Sequence, residues 1–285
     1  MGKIAATIIL YYPAKDFFDN IKTYLPTVDR LYVFDNSETP LKNIDTSLSI
    51  YKEKISYFND GKNKGIATRL NEAAELAIKE GYDWLLTMDQ DSVFDEDVLD
   101  KYFSCVSEFD KATEVAMFGV MFSYEPTENI SCSFKNVNQL ITSGSLVNLK
   151  TFSHIGVFDE NLFIDEVDFE FCLRAITKGF RIIQFSHIFL HHQLGVVSYH
   201  RSLKNNKATP RTLHSPIRLY YLTRNFLYVK KKYGQRFKAD IHFKKKALLN
   251  RFKNNILYNE ERWKVIRYII RGYVDYKKNR MGKFE

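Results

Sequence analysis

Short apolar runs separated by polar turns are the main pattern of the first 200 residues. The runs are rich in β-branched and aromatic residues, which is typical of strands buried in a parallel sheet. They predict strands over residues 4–12, 31–34, 55–58, 84–88, 115–124 and 181–185.

Helical periodicity follows several of these runs. Between residues 66 and 79 one face carries only apolar side chains, namely Ile66, Leu70, Ala73, Ala74, Ala77 and Ile78. Further helices are predicted over residues 15–25, 167–178, 209–232, 243–257 and 261–278. Strands that alternate with helices favour an α/β domain with a mostly parallel sheet flanked by helices. Ligands of such sheets bind beyond the carboxyl ends of the strands.

The charge of the chain is distributed unevenly. Residues 1–200 carry 18 Lys and Arg against 29 Asp and Glu, whereas residues 201–285 carry 24 against 5. We therefore predict a catalytic or binding domain over residues 1–200 and a basic, mainly helical segment over residues 201–285. Such a segment suits a polyanion, either anionic lipid headgroups or nucleic acid. A helical subdomain with solvated lysines explains the same composition equally well.

Composition also excludes several classes of protein. An aromatic content of 15% argues against disorder, and the first apolar run is too short to span a bilayer and lacks a small-residue cleavage site. Secreted and integral-membrane proteins are therefore not expected. The three cysteines are odd in number and have no metal-like spacing, which predicts free thiols in a reducing compartment.

Two acidic turns follow predicted strands and should converge on one crevice. Asp89 and Asp91 are spaced so that both carboxylates can face one divalent cation, and Mg²⁺ or Mn²⁺ prefers such oxygen ligands together with substrate phosphates. Asp35 follows another strand and could accept hydrogen bonds from a nucleobase or ribose. Both turns could instead be ordinary loops, since Asp favours turns.

Other polar residues could bind a ligand or act in catalysis, but each also has a purely structural explanation. Asn63 could cap the helix that follows, while Gly65 would let a phosphate or base approach the backbone. Four carboxylates at a helix start include a candidate general base, and spacing does not choose among Asp165, Glu166, Asp168 and Glu170. The pair His191-His192 could bind a diphosphate or a metal, although such a pair is more often structural.

Taken in order, these segments resemble an inverting family 2 glycosyltransferase with a GT-A fold. The matching segments are Tyr12-Pro13, Phe34-Asp-Asn-Ser37, Asn63-x-Gly65, Met88-Asp-Gln-Asp-Ser92, Gly156-x-Phe158-Asp-Glu160, Val167-Asp-x-Glu170 and His192-x-x-Gly195. Within the family, residues 87–92, 167–170 and 218–225 are most similar to bacterial rhamnosyltransferases. Those enzymes build O-antigen, capsule or cell-wall polysaccharide from dTDP-rhamnose.

The resemblance implies roles for particular residues. Asp168 falls on the catalytic base, with Val167 where the family usually has Glu. Asp89 and Asp91 would contact the ribose and the Mg²⁺ or Mn²⁺ that bridges the diphosphate, with His192 as a further metal ligand and His191 as an equal candidate. The implied nucleotide-sugar contacts are Tyr12, Asp35, Asn63, Gly65, Arg69, Asp89, Gly144, His192 and Arg224.

The implied function is an inverting, metal-dependent transfer of L-rhamnose to a saccharide or an undecaprenyl-diphosphate-linked acceptor. The enzyme would be cytoplasmic, or peripheral on the inner face of the membrane. One alternative keeps the mechanism with a UDP-hexose donor, and another is a non-catalytic relative. Nucleic-acid binding is not expected, because the basic segment lacks a recognition fold and its aromatic residues have helical spacing.

Overall fold

The computed structural model describes the chain except residues 16, 43, 45–47, 49, 50, 123–131, 193–196 and 202–206. It divides into two compact units. The first unit comprises Met1–Phe163 and Val167–His192, and the second comprises Ile164–Glu166 and Gln193–Glu285. The functional domain boundary at residues 200 and 201 stays a prediction.

In the part of the chain that the structure describes, the first unit contains an eight-stranded mixed sheet of order β3-β2-β1-β4-β8-β6-β9-β7. Its strands are β1 (Ile4–Leu10), β2 (Arg30–Asp35), β3 (Ile55–Asn59), β4 (Trp84–Asp89), β6 (Val115–Met121), β7 (Phe134–Asn136), β8 (Ser145–Asn148) and β9 (Arg181–Phe189). A separate two-stranded sheet pairs β5 (Ser92–Val93) with β10 (His191–His192).

Helices flank the sheet of the first unit. They are α1 (Phe17–Lys22), α2 (Gly65–Lys79), α3 (Val98–Ser107), α4 (Leu149–Ile155) and α5 (Val167–Thr177). Alternate residues of β1 pack in the main core with α1 and α3, while the other residues of β1 are also almost all buried. The apolar runs have no polar face because helices cover both sides of these strands.

The prediction of a mostly parallel sheet is refined by two strands that run antiparallel to their neighbours, the edge strand β7 and the internal strand β8. The run of polar and small residues before β8 concealed this strand, which lies between β4 and β6 and is antiparallel to both. The predicted strands agree with β1–β4, β6 and β9 to within a few residues wherever they are described, although β9 continues to Phe189. The short helices α3 and α4 were not predicted.

Among its described residues, the second unit contains a pair of antiparallel strands followed by three long helices. The strands are β11 (Val197–Arg201) and β12 (Ala208–Thr212), and the helices are α6 (Pro216–Tyr233), α7 (Lys238–Tyr258) and α8 (Arg262–Lys277). The predicted helix over residues 209–232 was wrong at its start, because Pro216 stands at the first turn, where proline begins a helix. Among the described residues, no helix has both the length and the apolar composition needed to cross a bilayer.

The prediction of three free thiols was wrong for two of them. Cys105 of α3 and Cys132, which precedes β7, form a disulfide, whereas Cys172 is buried and lies outside this disulfide. Both α3 and β7 contact β9, which brings cysteines 27 positions apart in sequence together. The expectation of a reducing compartment rested on three free thiols. The disulfide therefore removes its basis.

Candidate functional site

The two acidic turns lie at the same edge of the sheet. β1 is the central strand of the three, and it runs parallel to both β2 and β4. Leu10 pairs in register with Asp35, and Ile9 pairs with Asp89. The predicted convergence of the two acidic clusters is thus confirmed, and the crevice beyond these strand ends is the candidate site.

Serine side chains support the turn that carries Asp89 and Asp91. The amide of Asp89 donates to Ser143 Oγ at 3.2 Å, and Ser143 Oγ donates to the buried Ser92 Oγ at 2.7 Å. Both aspartates are half-buried. Gly144 follows Ser143, and its amide donates to the Thr87 carbonyl at 2.8 Å. Its contact with a nucleotide-sugar stays a prediction.

The histidine pair lies alongside the same turn. In the β5–β10 ladder His191 pairs with Val93 and His192 pairs with Ser92, the residue directly after Asp91. His191 Nε2 lies 2.8 Å from Asp95 Oδ2. The side chain of His192 lies outside the described part of the structure, so its metal and diphosphate contacts stay predictions.

The acidic turn suits a divalent cation that a substrate helps to bind. Within the described residues, no cluster of three or more His, Cys, Asp or Glu side chains forms a complete cation site. Mg²⁺ and Mn²⁺ are typically bound by one or two carboxylates together with substrate phosphates. Two half-buried aspartates separated by one residue fit that role, with the remaining ligands supplied by a diphosphate and water.

Asp35 is held by a set of hydrogen bonds at the end of β2. Its buried carboxylate accepts the Ser37 amide at 2.8 Å through Oδ1 and the Tyr57 hydroxyl at 2.9 Å through Oδ2. The bond from the Ser37 amide closes an Asx-turn, so the structural alternative of an ordinary turn at Asp35 is present. Ser37 Oγ in turn accepts the Tyr12 amide at 2.7 Å, and Tyr12 has an exposed ring and a positive φ of 44°. The base and sugar contacts of Asp35 and Tyr12 stay predictions.

Arg69 lies in a buried polar network with Asn36. Asn36 Oδ1 accepts from Arg69 Nε at 2.8 Å, while the guanidinium forms ion pairs with Asp60 at 2.6 Å and Glu72 at 2.7 Å. Partial burial raises the pKa of Asp60, but hydrogen bonds from Lys64 and Arg69 outweigh it and hold that pKa well below its ordinary value. In this structure Arg69 organises the turn between β3 and α2, and its contact with a ligand stays a prediction.

Asn36 also connects this network to the start of α2. Its side-chain amide donates to the Gly65 carbonyl at 3.2 Å, and its oxygen accepts the Lys64 amide at 3.3 Å. Asn63 Oδ1 accepts the Gly65 amide at 3.0 Å in an Asx-turn. The N-cap position of α2 is Lys64, which gives no side-chain cap, so the predicted capping role of Asn63 was wrong by one position. Sequence reasoning missed Asn36, and its position directly after a buried strand was the available signal.

Gly65 permits a close approach between α2 and the segment before the predicted base. Its φ is +85°, and an added Cβ would lie 2.5 Å from the Phe163 ring and 2.6 Å from the Phe163 carbonyl oxygen. That carbonyl accepts the Ile66 amide at 2.7 Å. Phe163 itself has a φ of 62°, which is rare for a bulky residue. Both backbones are therefore constrained at this contact.

Gly65→Ala should destabilise the protein more than a glycine replacement with equal backbone strain. Gly81 provides the matched control, because its φ is +80° and no atom lies within 4 Å of an added Cβ. We expect Gly81→Ala to lower the free energy of unfolding by about 1–2 kcal/mol through the left-handed conformation alone. Gly65→Ala should cost about 1–3 kcal/mol more because of the contact with Phe163. Urea denaturation measures both, and equal losses would contradict the steric argument.

Two of the four candidate carboxylates, Asp168 and Glu170, lie in the first turn of α5 and belong to the first unit. Glu170 is fully buried and forms an ion pair with Arg174 at 2.9 Å. Arg174 also donates to the carbonyls of Ile155 and Val157 at 2.9 and 2.7 Å. Asp168 is half-buried in the first turn, where its Oδ1 accepts the Phe169 amide at 2.7 Å. Glu170 thus has a structural role, and the base role of Asp168 stays a prediction.

The other two carboxylates belong to the second unit. Asp165 forms an ion pair with Arg218 at 3.1 Å, and Glu166 forms one with Lys244 at 3.1 Å. Asn225 donates to the carbonyls of Ile164 and Asp165 at 2.7 and 3.1 Å. These contacts give Asp165 and Glu166 cationic partners within their own unit. Sequence reasoning noted the segment that contains Asn225 but not this role.

Arg224 is fully buried in the second unit. Its guanidinium donates to Asn225 Oδ1 at 3.0 Å and to the Tyr220 hydroxyl at 3.2 Å. It also lies over the rings of Tyr220 and Tyr221 at 5.2 and 5.1 Å. In this structure Arg224 stabilises α6 and its surroundings, and its contact with a diphosphate stays a prediction.

Comparison with known proteins gives a family match within the first unit. Residues 17–143 match the sequence model of the family described as Glycosyl transferase family 2. This range includes Asp35, Asp89 and Asp91. The dTDP-rhamnosyl transferase RfbF of Shigella flexneri is 28% identical, with 81% of this chain and 81% of that protein covered.

Solved structures share the fold at low sequence identity. The mannosyltransferase PcManGT from Pyrobaculum calidifontis, in complex with GDP-Man and Mn²⁺, superposes with a TM-score of 0.59 at 11% identity, covering 98% of this chain and 88% of that chain. GalNAc-T7 with UDP, GalNAc and Mn²⁺ gives a TM-score of 0.54 at 9% identity and covers 67% of this chain. This chain spans 44% of the length of GalNAc-T7.

The fold of this chain is therefore the one that glycosyltransferases of the GT-A class share. More particularly, the match to the Glycosyl transferase family 2 model covers residues 17–143 of the first unit.

Proposed function

We propose that this enzyme transfers L-rhamnose from dTDP-rhamnose, with inversion, to a saccharide or lipid-linked saccharide acceptor in the synthesis of a bacterial surface polysaccharide. The similarity to a dTDP-rhamnosyl transferase over most of both chains carries the proposal. The turn at Asp89 and Asp91 supports it, because a nucleoside diphosphate needs a cation site at this edge of the sheet. The acceptor would be presented at the inner face of an anionic membrane, where undecaprenyl-diphosphate-linked saccharides lie.

In the proposed mechanism, Asp168 accepts the proton of the acceptor hydroxyl as its oxygen attacks the anomeric carbon. The bond from that carbon to the diphosphate breaks, and the nucleoside diphosphate leaves. Asp89 and Asp91 would hold a divalent cation against the diphosphate. A bound Mg²⁺ or Mn²⁺ supplies Lewis-acid stabilisation of the negative charge on the leaving group. The ladder from β5 to β10 orients the turn that carries these aspartates.

The same fold accommodates different nucleotides, because the structurally similar proteins were solved with GDP-Man and with UDP. Thymidine and uridine diphosphates differ by one base methyl group and one ribose hydroxyl, so a few side chains suffice to choose between them. A UDP-hexose donor would leave the roles of Asp89, Asp91 and Asp168 unchanged.

A thermal-shift panel tests the donor. It compares dTDP-rhamnose, dTDP, UDP, UDP-galactose, UDP-glucose, UDP-N-acetylglucosamine and GDP-mannose, each with and without Mn²⁺. A ligand at one hundred times its dissociation constant stabilises the protein by about 2.7 kcal/mol. We expect the largest metal-dependent shift with dTDP-rhamnose. A larger shift with a UDP-sugar would discard rhamnose, and no shift with any nucleotide would overturn the proposed function.

A further inference from the structure

Helices α7 and α8 carry large apolar side chains on their solvent-facing sides. Trp263 is 75% exposed and Phe243 is 72% exposed, while Leu249, Leu257 and Ile270 are each about half exposed. Isolated apolar side chains are common on protein surfaces, but several on neighbouring turns indicate an interaction surface.

The same sides of the two helices are basic. At 3.6 residues per turn, Leu249 and Leu257 of α7 lie among the exposed Lys246 and Lys253. Trp263 and Ile270 of α8 lie among the exposed Arg267 and Lys277. We call these eight residues the basic–apolar face.

Acidic residues of these helices lie elsewhere. Asp240 of α7 is half-buried, and Asp275 of α8 is buried and bonded to Arg271 and Tyr220. Among the residues that the structure describes, Lys246, Lys253 and Arg267 have no carboxylate within ion-pair distance. The basic–apolar face therefore presents positive charge that no neighbouring carboxylate neutralises.

The opposite sides of these helices already have packing partners. Ile241, Leu248 and Asn255 are the buried residues of α7. On α8 an added Cβ at Gly272 would lie 2.6 Å from the Tyr220 carbonyl oxygen, so α8 packs closely on α6. The exposed apolar side chains are therefore additional to those that the second unit needs for its own core.

We propose that the basic–apolar face binds the surface of an anionic lipid bilayer. Interfacial helices bury an apolar side at the headgroup boundary while Lys and Arg contact anionic lipids. The long lysine side chains can extend past the apolar residues to the phosphates. This assignment deepens the proposed site of the acceptor, but it does not depend on which nucleotide-sugar is the donor.

Two other occupants fit the chemistry of the face less well. Single-stranded nucleic acid binds basic grooves through stacking on aromatic rings, and Leu249, Leu257 and Ile270 have no ring to offer. Protein interfaces are depleted in lysine at their centres, whereas here lysines alternate with the apolar residues. An anionic bilayer can bury the apolar residues and contact the lysines at the same time.

Tryptophan fluorescence of the full chain on vesicles tests the proposal. The chain has two tryptophans, and Trp84 is buried whereas Trp263 is exposed. We expect vesicles containing phosphatidylglycerol to shift the emission of Trp263 to shorter wavelength, and pure phosphatidylcholine vesicles to leave it unchanged. Trp263→Phe should remove the shift while the protein still co-sediments with the anionic vesicles.

Charge and apolar variants with matched controls complete the test. Neutralising Lys246, Lys253 and Arg267 to Gln should weaken vesicle binding about a hundredfold, since each surface lysine or arginine contributes about fivefold. The control is Lys79, Lys101 and Lys135 to Gln, which removes equal charge from exposed positions of the first unit. Ile270→Ser should weaken binding, whereas Ile78→Ser, at an exposed isoleucine of α2, should not.

Several outcomes would overturn the proposal. These are equal loss in the test and control variants, binding that ignores lipid charge, or an unshifted Trp263 emission on anionic vesicles. RNA binding that needs the lysines but not Ile270, without vesicle binding, would assign the face to nucleic acid. An oligomer in solution that Trp263→Ser dissociates would assign it to a second copy. The nucleotide thermal shift should persist in every variant, which separates this failure from failure of the proposed function.

Discussion

Asp168→Asn should lower turnover by about 10²–10⁴-fold while nucleotide binding is retained, because a general base contributes that much and the amide cannot accept the proton. The side chain is half-buried in the first turn of α5, and the substitution preserves its size. Initial rates with donor and acceptor measure the loss. The thermal shift with the nucleotide and Mn²⁺ should stay close to that of the wild type.

Asp165→Asn is the matched control for this prediction. It makes the same chemical change three residues earlier, at a carboxylate whose partner Arg218 is largely exposed. The Asp165 side chain is only 10% exposed, but the amide that replaces it keeps an oxygen that can accept from Arg218, so activity should fall by no more than about fivefold. If Asp165→Asn abolished turnover and Asp168→Asn did not, the base would be Asp165. Near-normal rates in both variants would place the base outside this segment.

Asp91→Asn should lower turnover by about 10³-fold and remove the metal-dependent part of the nucleotide thermal shift. Electrostatic stabilisation of a leaving group is commonly worth that much, and the amide binds a divalent cation poorly. Treatment of the wild type with EDTA should have the same effect, and added Mn²⁺ or Mg²⁺ should restore its activity but not that of the variant. The readouts are initial rate against metal concentration and the shift with and without Mn²⁺.

Asp95→Asn controls for the general effect of losing a carboxylate in this region. Asp95 is exposed and contacts His191 rather than the turn at Asp89 and Asp91. Its variant should keep both the activity and the metal-dependent shift. Full activity of the wild type in EDTA would show that the transfer needs no metal, and the proposed role of Asp91 would then be discarded.

Much of the first unit could be predicted because its strands are nearly continuous apolar runs. β1, β2 and β4 are almost fully buried, β2 and β4 end at Asp35 and Asp89, and Pro13 closely follows β1. Their positions and the convergence of Asp35 with Asp89 therefore followed from local pattern. β8 could not be predicted in the same way. It is four residues long and starts at Ser145, and only its position between β4 and β6 makes it a strand.

The candidate site was predicted in part. The Asp89–Asp91 turn, the Asn63 turn before α2 and the acidic start of α5 are local motifs that the chain presents in order. The partners of the charged side chains could not be predicted from these motifs. Arg224 was assigned to a ligand from its motif alone, whereas its partners in this structure lie within its own buried helix and at the Arg280 carbonyl.

The sequence by itself determined the class of fold, the acidic turns and the unequal charge of the two parts of the chain, because each depends on residues close together. Only the tertiary structure decided which side chains are held by distant partners. Glu166 meets Lys244 across 78 residues, Asp35 meets Tyr57 across 22, and Cys105 meets Cys132 across 27. Local pattern reports propensity and burial, but such pairings exist only once the elements that carry them have packed.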